Sequence, residues 1–363
     1  MALQGPCRQA LDVRRYSIIR ADIEKNRDDI LPLLERNLRD ITAKRYDWLY
    51  TASPHGNACC WLAMDLDSER FVGSASLFPR RLYVGGAAVR AAIAGDFAVD
   101  REHRAYGPAL RLQRTIREAL GECGLDVIYG VPNRLSERIF HRIGYSGLGR
   151  FGRFVKVLKA EYKRGQYIPP APLTKVFSRV IDLWFKGFSR EAGYRRPEGL
   201  SVEEPASFDE RFDRLWERVL PQFAIIGVRD SRALNWRFKG SPHHDYKIHA
   251  VVDGDGGGIG GYIVYFLENN ACYIADVLFI DSERIKDALF AEFVIKMRER
   301  GVGLLSVRCL GGGLLERQLR RFGFFPVKEE DSNVVLCADP KSTHAPMLLK
   351  RENWYFLDGD TDY

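Results

Sequence analysis

The stretch 99–109, VDREHRAYGPA, constrains this chain more than any other part of it. The apolar run from Ala94 to Val99 predicts a strand, a short polar loop follows, and Gly107 opens a helix that starts at Pro108 and continues as ALRLQRTIREAL. The first N–H groups of a helix have no partner inside it, and the helix dipole is positive there. A strand that hands a glycine-bearing turn to a helix start therefore makes an anion cradle. A group carrying phosphate is expected on this turn, and a nucleotide-like cofactor is the first candidate.

Arg104-x-x-Gly107-x-Ala109, five residues after a strand-ending Val99, resembles the acyl-CoA signature of the GNAT N-acyltransferases, with Arg101 where that family has proline. A second strand, 126–131, is followed by NRLSERIFHRIGY. The family's later segment has Asn, a small residue at +3, Tyr at +7, Gly at +11 and an aromatic at +12; here those places hold Asn133, Ser136, Phe140, Gly144 and Tyr145. Two spaced motifs in the right order, each in a strand–helix setting, carry the resemblance over roughly residues 16–160.

The resemblance implies acetyl-CoA or another acyl-CoA as cofactor. Its pyrophosphate would lie on the turn formed by Arg104, Ala105, Tyr106, Gly107, Pro108 and Ala109. Pro108 has no N–H, so one donor is missing from the cradle, at little structural cost in the first helical position. Phe97, Ala98 and Val99 would offer strand backbone to the pantetheine arm, with Asn133 and Phe140 also lining it. Asparagine is also a good helix N-cap, and both roles are open to Asn133.

Acyl transfer to an amine needs the amine neutral and a group to take its proton. Asp96 is the candidate catalytic residue: it interrupts the apolar strand IAGDFAV, on the same face as Ala98 by the period of two, where a carboxylate is partly desolvated. Its alternative is a structural carboxylate bonded to a loop. Phe140 stands where many family members have the tyrosine that protonates the departing thiolate, which leaves Tyr106, Tyr145 or His141, an unassisted thiolate, or binding without efficient turnover. No cysteine lies beside a histidine in either motif, so direct attack is favoured over a covalent acyl-enzyme.

The chain has 363 residues, enough for two ordinary domains, and 46% hydrophobic content supports full cores. The expected fold is α/β (α+β), two tandem GNAT-like domains, each a mixed, mostly antiparallel sheet flanked by helices. The first spans 1–160. The second, 201–340, repeats its element order but reads DSERIKD at 281–287, with no glycine at the turn, so only the first half is expected to hold the cofactor. A tail, 341–363, carries no assigned chemistry.

Residues 161–200 read as a connector containing IPPAP at 168–172. Net charge is +7 overall, yet 150–196 holds twelve Lys/Arg against three acids, so the basic excess is local. Within it, 173–190 forms a basic amphipathic helix that either packs across domains or contacts a membrane surface peripherally. No nucleic-acid reader module and no membrane span are recognised, and no nucleic-acid partner is expected.

The seven cysteines show no CxxC, and the opening residues lack an apolar secretory core. Free thiols in a cytoplasmic protein are expected. His243, His244 and His249 read as a loose surface cluster, and no metal site is expected. The acceptor, a small-molecule or protein amine, the acyl chain length and the oligomeric state are left open. The readings to separate are an N-acyltransferase moving an acyl group, with acetyl expected, a CoA-binding sensor or scaffold, and a membrane-surface long-chain N-acyltransferase.

Overall fold

The computed structural model describes residues 15–159, 189–254, 257–327 and 332–362. All but the last two residues of the expected amphipathic helix at 173–190 lie outside the described residues. The chain forms two compact units.

Unit 1 takes residues up to 149, 332–350 and Asp362. Its first four strands, β1 (Tyr16–Ala21), β2 (Cys59–Asp65), β3 (Arg70–Val84) and β4 (Ala87–Val99), pair in sequence order and antiparallel. Gly85 and Gly86 turn β3 into β4 with φ of +58° and +85°, backbone that L side chains rarely adopt. Helices α1 (Arg27–Asn37), α2 (Ala43–Tyr46) and α3 (Pro108–Glu122) precede β5 (Val127–Gly130), which runs parallel to β4; α4 (Arg134–Arg142) and β6 (Ser146–Arg150) follow. Leu112, Ile116, Ala119 and Leu120, spaced for one helical face, seat α3 on Trp61, Ala75, Leu77, Ala92 and Ile128 of the sheet.

Unit 2 takes 150–331 and 351–361. Its elements are β7 (Gly152–Val157), β8 (Leu200–Glu203), α5 (Glu210–Val219), β9 (Ile225–Gly227), α6 (Ser231–Leu234), β10 (Lys247–Asp253), β11 (Gly258–Glu268), β12 (Ala271–Phe279), α7 (Glu283–Glu299), β13 (Leu304–Cys309), α8 (Gly313–Arg321) and β14 (Phe325–Val327). The sheet order is β14-β7-β13-β12-β11-β10-β8, antiparallel except for β12 with β13. Each half is thus a mixed, mostly antiparallel sheet with helices, as the element order predicts.

The expected domain limits need correction. β7, read as the end of the first domain at 1–160, pairs with β13 and β14 in unit 2. Conversely β15 (Asn333–Ala338), read as the end of the second domain at 201–340, pairs with β5 in unit 1. Alternating apolar residues specify which face of a strand is buried, not which sheet edge receives it. The tail at 341–363 is likewise divided, with 351–361 in unit 2 and Asp362 in unit 1. His249, expected on the surface, is fully buried on β10.

Candidate active site

β4 and β5 pair over only three positions, Ala91↔Val127, Ala92↔Ile128 and Ile93↔Tyr129. β4 then continues to Val99 without β5. Backbone groups on that side of a strand need partners, and a ligand with amide groups could supply them. Phe97, Ala98 and Val99 all lie on this parted half. Arg104 Nε donates to the Val99 carbonyl at 3.0 Å, turning the chain out of the strand.

The turn that follows is a 3₁₀ segment, Arg101–Tyr106, ending at Gly107. Gly107 caps α3 with φ +91°, and nothing lies within 4 Å of where a Cβ would stand. Pro108 is the first helical residue, and the first helical hydrogen bond runs from Arg111 N–H to Gly107 carbonyl at 3.2 Å. The helical pattern leaves the Ala109 and Leu110 N–H groups without an intrahelical acceptor. The loop is pinned from behind: Asp100 accepts from Arg36 Nε at 2.8 Å and Nη2 at 2.7 Å and from Asn37 at 2.6 Å, and His103 Nδ1 meets the Tyr16 hydroxyl at 2.9 Å. Burial alone would raise the Asp100 carboxyl, but the hydrogen bonds from Arg36 and Asn37 hold it below its usual range.

Asp96 sits where β4 is irregular. Its φ is +45°, and the β3–β4 register shifts between Ser74 and Ser76. The period of two is interrupted just before Asp96: Ala92 and Ala94, and then Phe97 and Val99, pack on the cluster under α3. The buried carboxylate accepts Arg45 Nη1 at 2.9 Å on Oδ2 and Arg45 Nη2 at 2.8 Å on Oδ1; the Tyr50 hydroxyl donates to Oδ2 at 2.9 Å. Burial would lower Arg45, yet the charge of Asp96 carries it above its ordinary value. Asp362 completes the group: a Cβ on Gly95 would collide with its carboxylate. Burial, then the neighbouring Asp96, push the Asp362 carboxyl up, with Arg45 and Arg80 opposing.

Asn133 is the N-cap of α4, accepting from Leu135 N at 3.1 Å and Ser136 N at 3.0 Å. Phe140 is buried in the apolar cluster beneath α3, edge-on to Tyr145 at 4.9 Å. Tyr145 is buried too, near Cys337 and Arg117, and His141 meets the Tyr145 carbonyl at 3.1 Å and Glu137 at 3.4 Å. Of Ala105 and Tyr106 the backbone alone is described. Arg45, Tyr50 and Asp362 are the residues that sequence reasoning missed.

A family model described as an acetyltransferase (GNAT) domain matches residues 20–147. This segment is a GNAT domain. No curated protein matches the sequence. Among solved structures, a probable N-acyltransferase from Enterococcus faecalis is similar at 13% identity and a TM-score of 0.63, over 89% of this chain and 72% of that one. A GCN5-related N-acetyltransferase from Anabaena variabilis gives 12%, 0.62, and the same coverages of 89% and 72%. Yeast N-myristoyltransferase with bound myristoyl-CoA gives 13% and 0.56, over 89% of this chain and 82% of that one. At such identities the likeness is one of fold, and it spans both halves of the chain.

The GNAT domain is echoed in unit 2. The pairing of β12 with β13 ends at Ile274↔Val307, and β12 runs on past buried Asp276. Arg229 grips Asp276 through Nε at 3.1 Å and Nη2 at 3.0 Å, and the Tyr262 hydroxyl donates to Asp276 at 2.9 Å. Here the chain's own tail occupies the parting: Leu310 N–H bonds the Phe356 carbonyl at 3.1 Å, Leu357 bridges to Cys309, and Asp360 pairs with Arg229 at 2.7 Å. The start of α7 is sealed by Lys286, at 2.6 Å from both Asp281 and Glu283. Neither feature of an open cradle is present at this place in unit 2.

Proposed function

We propose that this protein is an acyl-CoA-dependent N-acyltransferase whose GNAT domain in unit 1 holds the coenzyme and whose acceptor is a primary amine. The observation carrying this reading is the Gly107 turn. It is open where a side chain would stand and has free helix-start N–H groups, and it follows a strand that has left its neighbour. Backbone of Gly107, Ala109 and Leu110 would hold the diphosphate, and the parted edge at Phe97, Ala98 and Val99 the pantetheine arm. When bound, acyl-CoA supplies a thioester carbonyl to an attacking nitrogen.

The chain's own work is then to orient that nitrogen and take its proton. The Asp96 group stands at the irregularity of β4 and offers two carboxyl groups, Asp96 and Asp362. Arg45 and Tyr50 fix the position of Asp96, while Asp362 brings a carboxyl whose proton affinity is raised, as suits a proton acceptor near neutrality. Acetyl is the default donor.

A second reading is favoured by two observations. Phe140 has no hydroxyl, and both oxygens of Asp96 are already engaged. These suit a protein that binds acyl-CoA with little turnover.

Calorimetric titration with acetyl-CoA and longer acyl-CoAs tests the common claim. Saturable binding is expected, lost in Gly107→Glu, which puts bulk and negative charge on the cradle; absence of heat with every acyl-CoA would refute it. Release of free thiol in the presence of a panel of amines separates enzyme from sensor.

A further inference from the structure

Two arginines of unit 2 share one carboxylate oxygen. Arg190, which opens the 3₁₀ turn Arg190–Gly193, and Arg321, the last residue of α8, each donate through Nη2 to Oδ2 of Asp287 on α7, both at 3.0 Å. Oδ1 of Asp287 is buried and has no hydrogen-bond partner among the described residues. A neighbouring pair is built otherwise: Arg196 clasps Glu292, further along α7, through two bonds at 2.7 and 2.9 Å. Arg321 also reaches the exposed Glu283. Arg195, exposed, meets no acid among the described residues. The three arginines, Asp287 and Tyr194 line one cleft of about 710 Å³.

Three guanidiniums thus meet two carboxylates, and two of them crowd a single oxygen. The guanidinium of Arg321 is pushed below its ordinary value by burial and then by Arg190, whereas the hydrogen bond to Glu292 holds Arg196 above it. A cation so placed gains from a further anion, and a cleft with an excess of one charge concentrates the opposite ion. A guanidinium carries five donors in a planar fork. Arg190 spends one of them on Asp287. The fork matches the oxygens of a phosphate group better than an ammonium does.

We propose that this cleft of unit 2 binds a phosphate group, gripped by Arg190, Arg195 and Arg321, while Asp287 holds two of the guanidiniums side by side. The site is built wholly from unit 2 and owes nothing to the Gly107 turn. A soluble phosphate compound and the headgroup of an acidic phospholipid present the same group, and the experiment separates them.

The test uses the full chain in chloride buffer. Inorganic phosphate is titrated calorimetrically into wild type and Gly107→Glu, and thermal unfolding is followed in phosphate and in chloride of equal ionic strength. A saturable site common to both proteins and a higher thermal midpoint in phosphate are expected. Arg195→Gln should weaken this binding about tenfold. Arg321→Lys keeps the charge without the fork and should weaken it too. Both variants should unfold in chloride as wild type does. Sedimentation with phosphatidylcholine vesicles, with and without phosphatidic acid, assigns the source. Capture by the acidic vesicles alone, weakened in Arg195→Gln and relieved by inorganic phosphate, supports the site with a lipid headgroup. Phosphate binding without such capture supports it with a soluble phosphate compound. The proposal fails if phosphate gives neither saturable heat nor a midpoint shift beyond chloride, if Gly107→Glu abolishes all phosphate binding, or if both arginine variants bind phosphate as wild type does.

Discussion

Arg45 holds Asp96 by two parallel hydrogen bonds, at 2.9 and 2.8 Å, next to the point where β4 loses β5. Both side chains are almost wholly buried. The pair is linked by Tyr50, which reaches Asp96 at 2.9 Å and Ser76 at 3.0 Å. An ion pair so placed fixes the irregular backbone of β4 as well as the carboxylate.

Removing the cation leaves Asp96 buried and uncompensated. Arg45→Met should destabilise the protein by about 3–5 kcal/mol, read from urea unfolding followed by far-ultraviolet circular dichroism. The double variant Arg45→Met with Asp96→Leu should recover part of that loss, because no lone charge then remains. A loss under 1 kcal/mol in the single variant would show that the bidentate pair contributes little.

Much of this site is invisible to a reading along the chain because its partners are distant in sequence. The Gly107 turn and the Asn133 cap are local, and local rules find them: a positive-φ position calls for glycine, and a helix start calls for asparagine. Arg45 lies on a short helix with no motif of its own, 51 positions before Asp96. One signal was available. KRYDWLY at 44–50 and RALNWRF at 232–238 align, each behind a capping side chain, Thr42 and Asp230, which accept from Arg45 N at 3.1 Å and Ala233 N at 2.7 Å. The match between those segments marks the internal repeat more sharply than element order does. The exchange of β7 and β15 left no comparable trace, since each carries an ordinary alternating strand pattern.

Pro108 supplies no N–H at the first helical position, while Ala109 and Leu110 do. Pro108→Ala restores a donor at the centre of the cradle and gives up only the pre-set φ of proline. Under the coenzyme-binding reading, affinity for CoA should rise about threefold, roughly the worth of part of one net hydrogen bond. Unfolding free energy should change by less than about 1 kcal/mol. Calorimetry and thermal unfolding read the two quantities separately. Weaker binding with unchanged stability would mean that proline shapes the turn rather than depleting it of donors.

Asp362 separates a structural from a functional carboxyl. Its folded pKa is raised, chiefly by burial and then by Asp96, so its contribution to stability is present below the unfolded value and lost as pH rises through the folded one. Asp362→Asn removes a reluctant charge and should leave stability at neutral pH unchanged or slightly higher. If Asp362 takes the amine proton, the same variant should lower kcat by about a hundredfold or more with KM for acyl-CoA little altered, and should abolish the lower limb of the pH–rate profile. An undiminished kcat would assign the proton to another group.

His249 is a titratable group whose environment excludes its charge. The ring is fully buried, edge-on to Phe293 at 5.4 Å. Burial pushes its pKa down to about 3, with Lys296 and Arg300 adding to the shift and Glu204 and a hydrogen bond to the Leu289 backbone opposing it. In the unfolded chain the same ring protonates near its ordinary value of about 6.5. Below that value the unfolded state binds a proton that the folded state refuses. The stability contribution of His249 is therefore whole above pH 6.5 and drains away as pH falls towards 3. His249→Phe, which keeps a ring against Phe293, should lose this dependence. The difference in unfolding free energy between wild type and variant should then rise with pH across that window, at up to about 1.4 kcal/mol per pH unit, and level off above it. Carboxylates such as Asp65, held down to about 2 first by its hydrogen bond from Arg15, titrate identically in both proteins and cancel in the difference. Urea unfolding at half-unit steps from pH 4 to 8 measures it. Parallel curves for wild type and variant would mean that the buried ring accepts its proton in the folded state after all.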